Sequence, residues 1–185
     1  FGGTDAVTLS GPEIVIVPSV GFNNNYQIDD PLLNVQFTAP IVGGARNVVN
    51  ANVPLVKTGF GKLILSGNST FVGHVQVNQG ILNLRNNNAL GNSVPQFGAP
   101  AGGFVNVLGL AALELEGGVT ISDRTLILNA VNPPLFGSGY QNDFNGALRS
   151  VSGNNTWRGT VDLRSFDGTG RTLFIGVDAG QLSID

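Results

Sequence analysis

The chain has 185 residues, a length that fits one domain, and only 11% of them are charged, against roughly 25% in an ordinary soluble domain. A net charge of −3 with only two lysines, Lys57 and Lys62, argues against a nucleic-acid interface or an anionic membrane surface, since both require a basic face on the protein. The absence of cysteine excludes disulfides and thiolate metal sites, and no apolar run approaches the ~18 residues of a membrane helix.

The first part of the chain predicts short strands separated by tight turns. Apolar residues recur at spacing two, or in short β-branched runs, at residues 7–9, 14–17 and 33–37. Pro, Gly and Asn follow each of these runs and favour turns. The first residues show neither the basic start nor the apolar core of a signal peptide, and a segment that lacks Met and begins at Phe1 suggests a piece of a longer chain.

The stretch from residue 55 to residue 91 is the most regular part of the sequence. Alternating runs at residues 63–65, 75–77 and 81–84 are separated by Gly and Asn. Spacing two puts alternate side chains on one face of a strand. In this stretch and further along, the residues predicted to face the interior are Leu63, Leu65, Val75, Val77, Leu82, Leu84, Leu113, Leu115, Leu126 and Leu128. Strands this short bury a core only when successive coils stack on one another.

The same stretch resembles the autotransporter-associated β-strand repeat of secreted bacterial passenger proteins. The matching residues are Lys57, Gly59, Gly61, Leu63, Leu65, Ser66, Gly67, Thr70, Phe71, Gly73, Val77, Gly80, Leu82, Leu84, Ala89, Leu90 and Gly91. Asn68 stands one place earlier than the asparagine of that repeat. The resemblance implies a right-handed parallel β-helix that is displayed outside the cell and has no catalytic role. That family has no site residues to transfer to this chain.

Further strands and two loops are predicted after residue 91. Alternating apolar pairs occur at residues 105–107, 113–115, 119–121 and 126–128. Residues 108–115 are interpreted as strand, because Gly109 interrupts a helical pattern and the residues then alternate, so almost no helix is expected. The Pro- and Gly-rich segments 92–103 and 131–145 are interpreted as loops that project from the coils.

A second copy of the repeat signature appears near the end of the sequence. Residues 152–163 align with residues 66–77 at an offset of 86, and residues 177–184 echo residues 77–84 after a 14-residue insertion. The signature residues of the second copy are Ser152, Gly153, Asn154, Thr156, Trp157, Gly159 and Gly180.

These patterns together predict an all-β chain that folds as a single right-handed parallel β-helix. One continuous domain, residues 1–185, is expected, with repeat signatures near 55–91 and 147–185. About 20–25 residues for each three-sided coil would give about eight coils, with loop insertions.

Three ionisable residues are candidates for chemistry. His74 follows Gly73 and has no partner nearby in sequence, so it is interpreted as a surface residue at a turn. Glu114 and Glu116 are spaced by two and point to the same side of a strand, about 7 Å apart. They form either a solvated outer face or a contact for a sugar or an ion, and Arg124 is the basic residue near them in sequence.

The remaining candidates are aromatic and acidic residues. Phe71 and Trp157 hold the same repeat position, where they either pack over the coil or, at Trp157, offer a stacking platform to a glycan. Asp29–Asp30 and the segment 167–170 lack the ligand spacing of a calcium loop and are interpreted as turn residues. No cofactor, metal or catalytic residue is predicted.

Three functions remain open at this point. The first is a non-catalytic structural module, a stalk or fibre segment outside a bacterial cell. The second is an adhesin that binds glycan or a surface through the loops at 92–103 and 131–145, and the third, less favoured, is a polysaccharide-active enzyme. Strand alternation that begins at Val7 and continues to Ile184 leaves no capping element, so both ends are expected to stack on flanking β-helix or on copies of the chain.

Overall fold

The computed structural model describes residues 6–16, 25–43, 55–92, 103–130, 146–165 and 173–185. Within these residues the chain forms sixteen β-strands and no helix, and therefore no helix that could cross a membrane. All strand pairings in this part of the chain are parallel. The prediction of an all-β parallel architecture is therefore confirmed.

The strands stack in three ladders. The first ladder contains β1 (Ala6–Leu9), β4 (Asn34–Phe37), β7 (Lys62–Leu65), the second half of β8 (Val75–Leu84), the second half of β9 (Phe104–Glu116), β12 (Leu148–Ser152) and β15 (Ile175–Val177). The second contains β3 (Asn25–Gln27), β6 (Leu55–Thr58), the first halves of β8 and β9, β11 (Thr125–Ala130) and β14 (Val161–Ser165). The third contains β2 (Ile14–Ile16) paired with β5 (Ile41–Gly43), an isolated bridge between Val72 and Asn92, and β10 (Thr120–Ser122), β13 (Asn154–Arg158) and β16 (Gln181–Ile184).

Each turn of the chain visits the first, third and second ladders in that order, so the chain winds as a solenoid. The described residues make six three-sided coils and two sides of a seventh, fewer than the approximately eight predicted. The difference arises because coil length varies: Leu63 pairs with Leu82, 19 residues on, whereas Leu113 pairs with Leu148, 35 residues on. The right-handed sense of the winding stays a prediction.

Two long strands replace predicted strand–turn–strand units. β8 and β9 each run without a break from the second ladder into the first, and their mutual register shifts between Val77 and Gln79. Gly80 and Gly109 therefore lie within bends of continuous strands. The predicted loops at 92–103 and 131–145 lie outside the described residues, except for Asn92 and Gly103 at the ends of the first.

The interior of the solenoid is formed by columns of paired aliphatic side chains. In the first ladder Leu63, Leu82, Leu113 and Leu148 lie one above the other and are fully buried. All ten residues that the alternation predicted to face inward are at most 1% exposed, which confirms the assignment of the inward face. Burial of such columns is the main favourable term for a chain with so few charges.

The second copy of the repeat lies three coils beyond the first. Ser66 follows β7 in the third coil, and Ser152 ends β12 in the sixth. The 86-residue offset seen in the sequence thus spans three coils of unequal length.

Glycine occupies corners where neighbouring coils approach closely. Gly59 and Gly80 both have positive φ angles, +72° and +69°, and lie in adjacent coils at the junction between the second and first ladders. A Cβ atom on Gly80 would lie 2.4 Å from the carbonyl oxygen of Gly59, a backbone atom that cannot move aside. This contact explains the glycine requirement at this position of the repeat.

We predict that Gly80→Ala destabilises the fold by about 2–4 kcal/mol, because it combines a positive-φ cost with overpacking against backbone. Gly117→Ala is the matched control, since Gly117 has a φ of +91° but nothing within 4 Å of the added Cβ. It should cost only about 1 kcal/mol. Denaturant unfolding measures both variants, and equal losses would show that coil contact is not the cause.

Candidate functional site

A polar cleft opens on the third side of the solenoid, between Asn92 and β10. The third ladder pairs Val72 with Asn92 and β10 with β13, but within the described residues no backbone bridge joins Asn92 to β10. The cleft between these two paired segments has a volume of about 490 Å³. The residues that line it are Asn87, Asn88, Gly91, Asn92, Thr120, Ser122 and Asp123.

One wall of the cleft is the asparagine-rich turn that follows β8. The side chain of Asn86 accepts a hydrogen bond from the Asn88 amide at 2.9 Å, an arrangement by which Asn stabilises turns. The Asn88 side chain donates to Asn68 of the preceding coil at 2.8 Å, so asparagines of adjacent coils are hydrogen-bonded here. Gly91 N–H donates to the Asn88 carbonyl at 2.9 Å and closes the turn.

The opposite wall is the segment from Thr120 to Asp123. The Thr120 amide donates to the side-chain oxygen of Asn87 on the opposite wall at 2.8 Å. Asp123 has a φ of +60°, a left-handed conformation that is uncommon for residues other than glycine. Its carboxylate is exposed at the mouth of the cleft.

Arg124 braces the two walls from below. Its guanidinium is 2% exposed and donates to the carbonyl oxygens of Gly73 (2.8 Å), Leu90 and Asn92 (3.3 Å). It also lies 5.8 Å from the centre of the Phe71 ring, within cation–π range. Burial lowers the pKa of Arg124 to about 10, so the side chain is charged at neutral pH. Arg124 is not near Glu114, as its place in the sequence had suggested, but is a structural brace.

The cleft offers hydrogen bonds and one negative charge. Its side chains are three primary amides, two hydroxyls and a single carboxylate, and none of the described lining residues is a cation or an aromatic. Amides and hydroxyls both donate and accept. No group of three His, Asp or Glu side chains within the described ranges could hold a metal ion. The sequence analysis did not identify this cleft, because Thr120 on one wall lies 33 residues beyond Asn87 on the other.

The prediction that His74 is a surface residue is wrong. The ring is 8% exposed and stacks on Phe104, with centroids 3.8 Å apart and planes inclined by 15°. Its Nδ1 atom accepts a hydrogen bond from the Phe104 amide at 3.3 Å. Burial, assisted by the charge of Arg124, lowers the pKa of His74 to about 4, so the ring is neutral at physiological pH. Its role is packing between coils.

Glu114 and Glu116 share one face of β9, as predicted, and both contact the Asn83 amide, at 2.8 and 2.9 Å. Glu114 does not lie on a solvated face, however: its side chain is 1% exposed and pairs with Lys62 at 2.8 Å and Arg149 at 3.2 Å. Glu116 is partly exposed.

These carboxylates belong to a network of alternating charge along the first ladder. Arg85 pairs with Glu116 at 2.9 Å, and Arg149 also binds Asp178 of the seventh coil. The network therefore links the third coil to the seventh. Its carboxylates are neutralised by cations from neighbouring coils that are remote in sequence.

Trp157 and Phe71 are both fully buried, so packing over the coil is the role that the structure gives to this repeat position. Trp157 pairs with Ile121 on one side and Ile184 on the other. Its Nε1 atom has no hydrogen-bond partner within the described part of the chain. A buried indole offers no stacking platform, which removes the structural basis for a glycan contact at Trp157.

Two further buried polar residues satisfy backbone groups at the corners. Lys57 is fully buried and donates to the carbonyls of Thr58 (2.8 Å), Gly59 (2.7 Å) and, more weakly, Gln79 (3.3 Å). Burial lowers its pKa to about 8, opposed by Asp29. Asn155 accepts from the Gly118 and Val119 amides at 3.0 and 2.9 Å and donates to nearby oxygens.

The acidic turn at Asp29–Asp30 serves local structure. Asp29 accepts from the Gln27 side chain, and Asp30 accepts from the Leu32 amide at 2.9 Å. The turn interpretation is confirmed for Asp30. The segment 167–170 lies outside the described residues.

Comparison with known proteins gives one match. Residues 55–84 match the family model of the passenger-associated-transport-repeat, which confirms the resemblance to autotransporter passenger repeats. The chain matches no curated protein and no solved structure.

We predict that acid destabilises this fold in part through His74, the only histidine of the chain. Folding lowers the pKa of His74 from 6.5 to about 4. As the pH falls, the imidazole is therefore protonated in the unfolded chain before it is protonated in the folded chain. The contribution of His74 to the free energy of unfolding is therefore complete above pH 6.5. It decreases by about 2–3 kcal/mol as the pH drops toward 4.

The measurement is denaturant unfolding across that pH range. His74→Asn is the comparison variant, because its oxygen can still accept from the Phe104 amide but does not titrate. The stability difference between the two proteins should narrow as the pH falls. A constant difference would rule out the histidine as the source.

We also predict that Glu114→Gln destabilises the fold by about 2–3 kcal/mol, because it leaves Lys62 and Arg149 beside a neutral amide in a buried position. Glu116→Gln is the matched variant on the same strand. Its side chain is 24% exposed and pairs with an exposed arginine, so it should cost at most about 1 kcal/mol. Unfolding midpoints compare the two, and an equal or reversed order would contradict the assigned burial.

Proposed function

We propose that this chain, which carries a passenger-associated-transport-repeat at residues 55–84, is a non-catalytic structural module of a bacterial passenger protein outside the cell. It would provide length and stiffness to that protein, as a stalk or fibre segment does. The observation that carries the proposal is the stacking of unequal coils on three parallel ladders with fully buried aliphatic columns.

The buried ionisable side chains are held by ion pairs, packing or hydrogen bonds to the backbone, which supports a structural role rather than catalysis. Glu114 is held between Lys62 and Arg149, and His74 is buried and neutral. Lys57 and Arg124 bind backbone carbonyls. General acid–base chemistry needs a titratable group within reach of a substrate, and these groups serve the fold instead.

Exposed apolar side chains on the outermost rungs support end-to-end stacking. On the first coil Val7 and Leu9 of β1 are 45% and 46% exposed, and on the seventh Val177 and Ile184 are 51% and 48% exposed. Their counterparts in middle coils are buried. A further β-helical coil, from the same polypeptide or from a second copy, would cover these residues and pair the edge strands.

The adhesin hypothesis is the second candidate function, and the polar cleft is the observation that favours it. The loops first expected to carry that function lie outside the described residues, apart from their boundary residues Asn92 and Gly103. A polysaccharide-active enzyme is the least favoured candidate, and cleavage of a polysaccharide that is lost in Glu114→Gln would overturn the non-catalytic proposal.

The test of stacking is the size of the purified 185-residue chain as a function of concentration, by light scattering and electron microscopy. We expect rods that lengthen with concentration. Replacing both Val177 and Ile184 by Lys should shorten them, because charges then line the last rung. Leu32→Lys is the control, since Leu32 is 62% exposed in a turn between coils. A monomer at all concentrations would contradict stacking between copies.

A further inference from the structure

We propose that the polar cleft between the fourth and fifth coils binds a neutral carbohydrate of one or two sugar rings. The residues that would hold it are Asn87, Asn88, Asn92, Thr120, Ser122 and Asp123. This site goes beyond a structural role and does not depend on stacking at the ends.

The cleft lies on the third side of the solenoid, between two paired segments of the third ladder. Val72 and Asn92 are paired below it, and β10, β13 and β16 are paired above it. Its volume of about 490 Å³ lies within the usual range of small-ligand sites.

Hydrogen bonds fix the two walls relative to each other, so the cleft forms without a ligand. Thr120 N–H binds Asn87 at 2.8 Å across the cleft, and Arg124 binds the carbonyls of Leu90 and Asn92 beneath it. Arg124 is itself buried, so these contacts are shielded from water. A preformed cleft saves the ordering cost that weakens ligand binding.

The lining chemistry selects a neutral polyhydroxyl ligand. Sugar hydroxyls donate and accept together, which matches amides and hydroxyls, and the Asp123 carboxylate accepts from a pair of hydroxyls. Phosphate, sulfate or uronate would meet that carboxylate without a lining cation, since Arg124 is committed to backbone carbonyls. A calcium ion prefers six to eight oxygens, usually with several carboxylates, whereas this cleft has one.

The backbone of Asp123 provides a second, independent observation. A non-glycine residue at a φ of +60° is held in a less populated conformation, and such residues concentrate at functional sites. The conformation lets the exposed carboxylate at position 123 and the buried guanidinium at position 124 serve opposite sides of one corner. Arg124 holds the walls of the cleft in place, and Asp123 lines the cleft from the exposed side.

The test is a titration, followed by NMR, of the isotope-labelled chain that carries Val177→Lys and Ile184→Lys to limit stacking, with lactose, cellobiose, maltose and N,N′-diacetylchitobiose at millimolar concentrations. We expect saturable shifts for at least one of these probes, concentrated on Asn87, Asn88, Asn92 and residues 120–123. Asp123→Asn should weaken that binding about tenfold or more, through loss of charge-assisted hydrogen bonds. Asparagine tolerates the positive φ, so the backbone should be retained.

Two comparisons keep the test decisive. Ser122→Ala removes a lining hydroxyl without touching the strained residue and should weaken binding by a smaller factor. Asp162→Asn, on the second ladder, makes the same chemical change away from the cleft and should leave binding unchanged. The absence of shifts with all four sugars, shifts that persist unchanged in both cleft variants, or shifts with calcium chloride alone would overturn the proposal. End-to-end stacking is measured in a separate experiment, so failure of carbohydrate binding can be distinguished from failure of stacking.

Discussion

The corners of the coils are the constraint on which this structure depends. Along the three ladders the backbone groups pair with the coils above and below, but at a corner the chain turns and its carbonyls and amides point away from a partner. Buried polar side chains satisfy them: Lys57, Arg124 and Asn155 each bind backbone groups at one of the three corners. Glycine at positions such as Gly80 lets the next coil approach. Stacking follows only where both conditions hold.

The same constraint explains why polar residues that look like functional groups turn out to be structural. A lone lysine, arginine or histidine in a chain with so few charges attracts attention in the sequence. In the fold, the Lys57 ammonium and the Arg124 guanidinium replace water as donors to corner carbonyls, and His74 fills space against Phe104. Their lowered pKa values record burial. A perturbed pKa in a solenoid is therefore weak evidence of catalysis.

The local part of this fold was predictable, and the part that depends on register was not. Alternation at spacing two identified the inward leucines and valines, because side-chain direction in a strand is set by neighbouring residues. The burial of Glu114 was missed, since its partners Lys62 and Arg149 lie 52 and 35 residues away and meet it only through coil pairing. The cleft was missed for the same reason: Asn88 and Ser122 belong to different coils, and coil length varies.

The ion pair between Lys62 and Glu114 has a mechanical consequence. Lys62 belongs to the third coil and Glu114 to the fifth, so the side chain reaches past an intervening rung. Tension along the solenoid axis that opens either of the two interfaces between these coils would also have to separate this ion pair. Arg149 continues the connection to Asp178 in the seventh coil. The side of the solenoid formed by the first ladder thus carries a row of ion pairs that resists separation of the coils. Under axial load the coils would separate first at the second and third ladders, which lack this row.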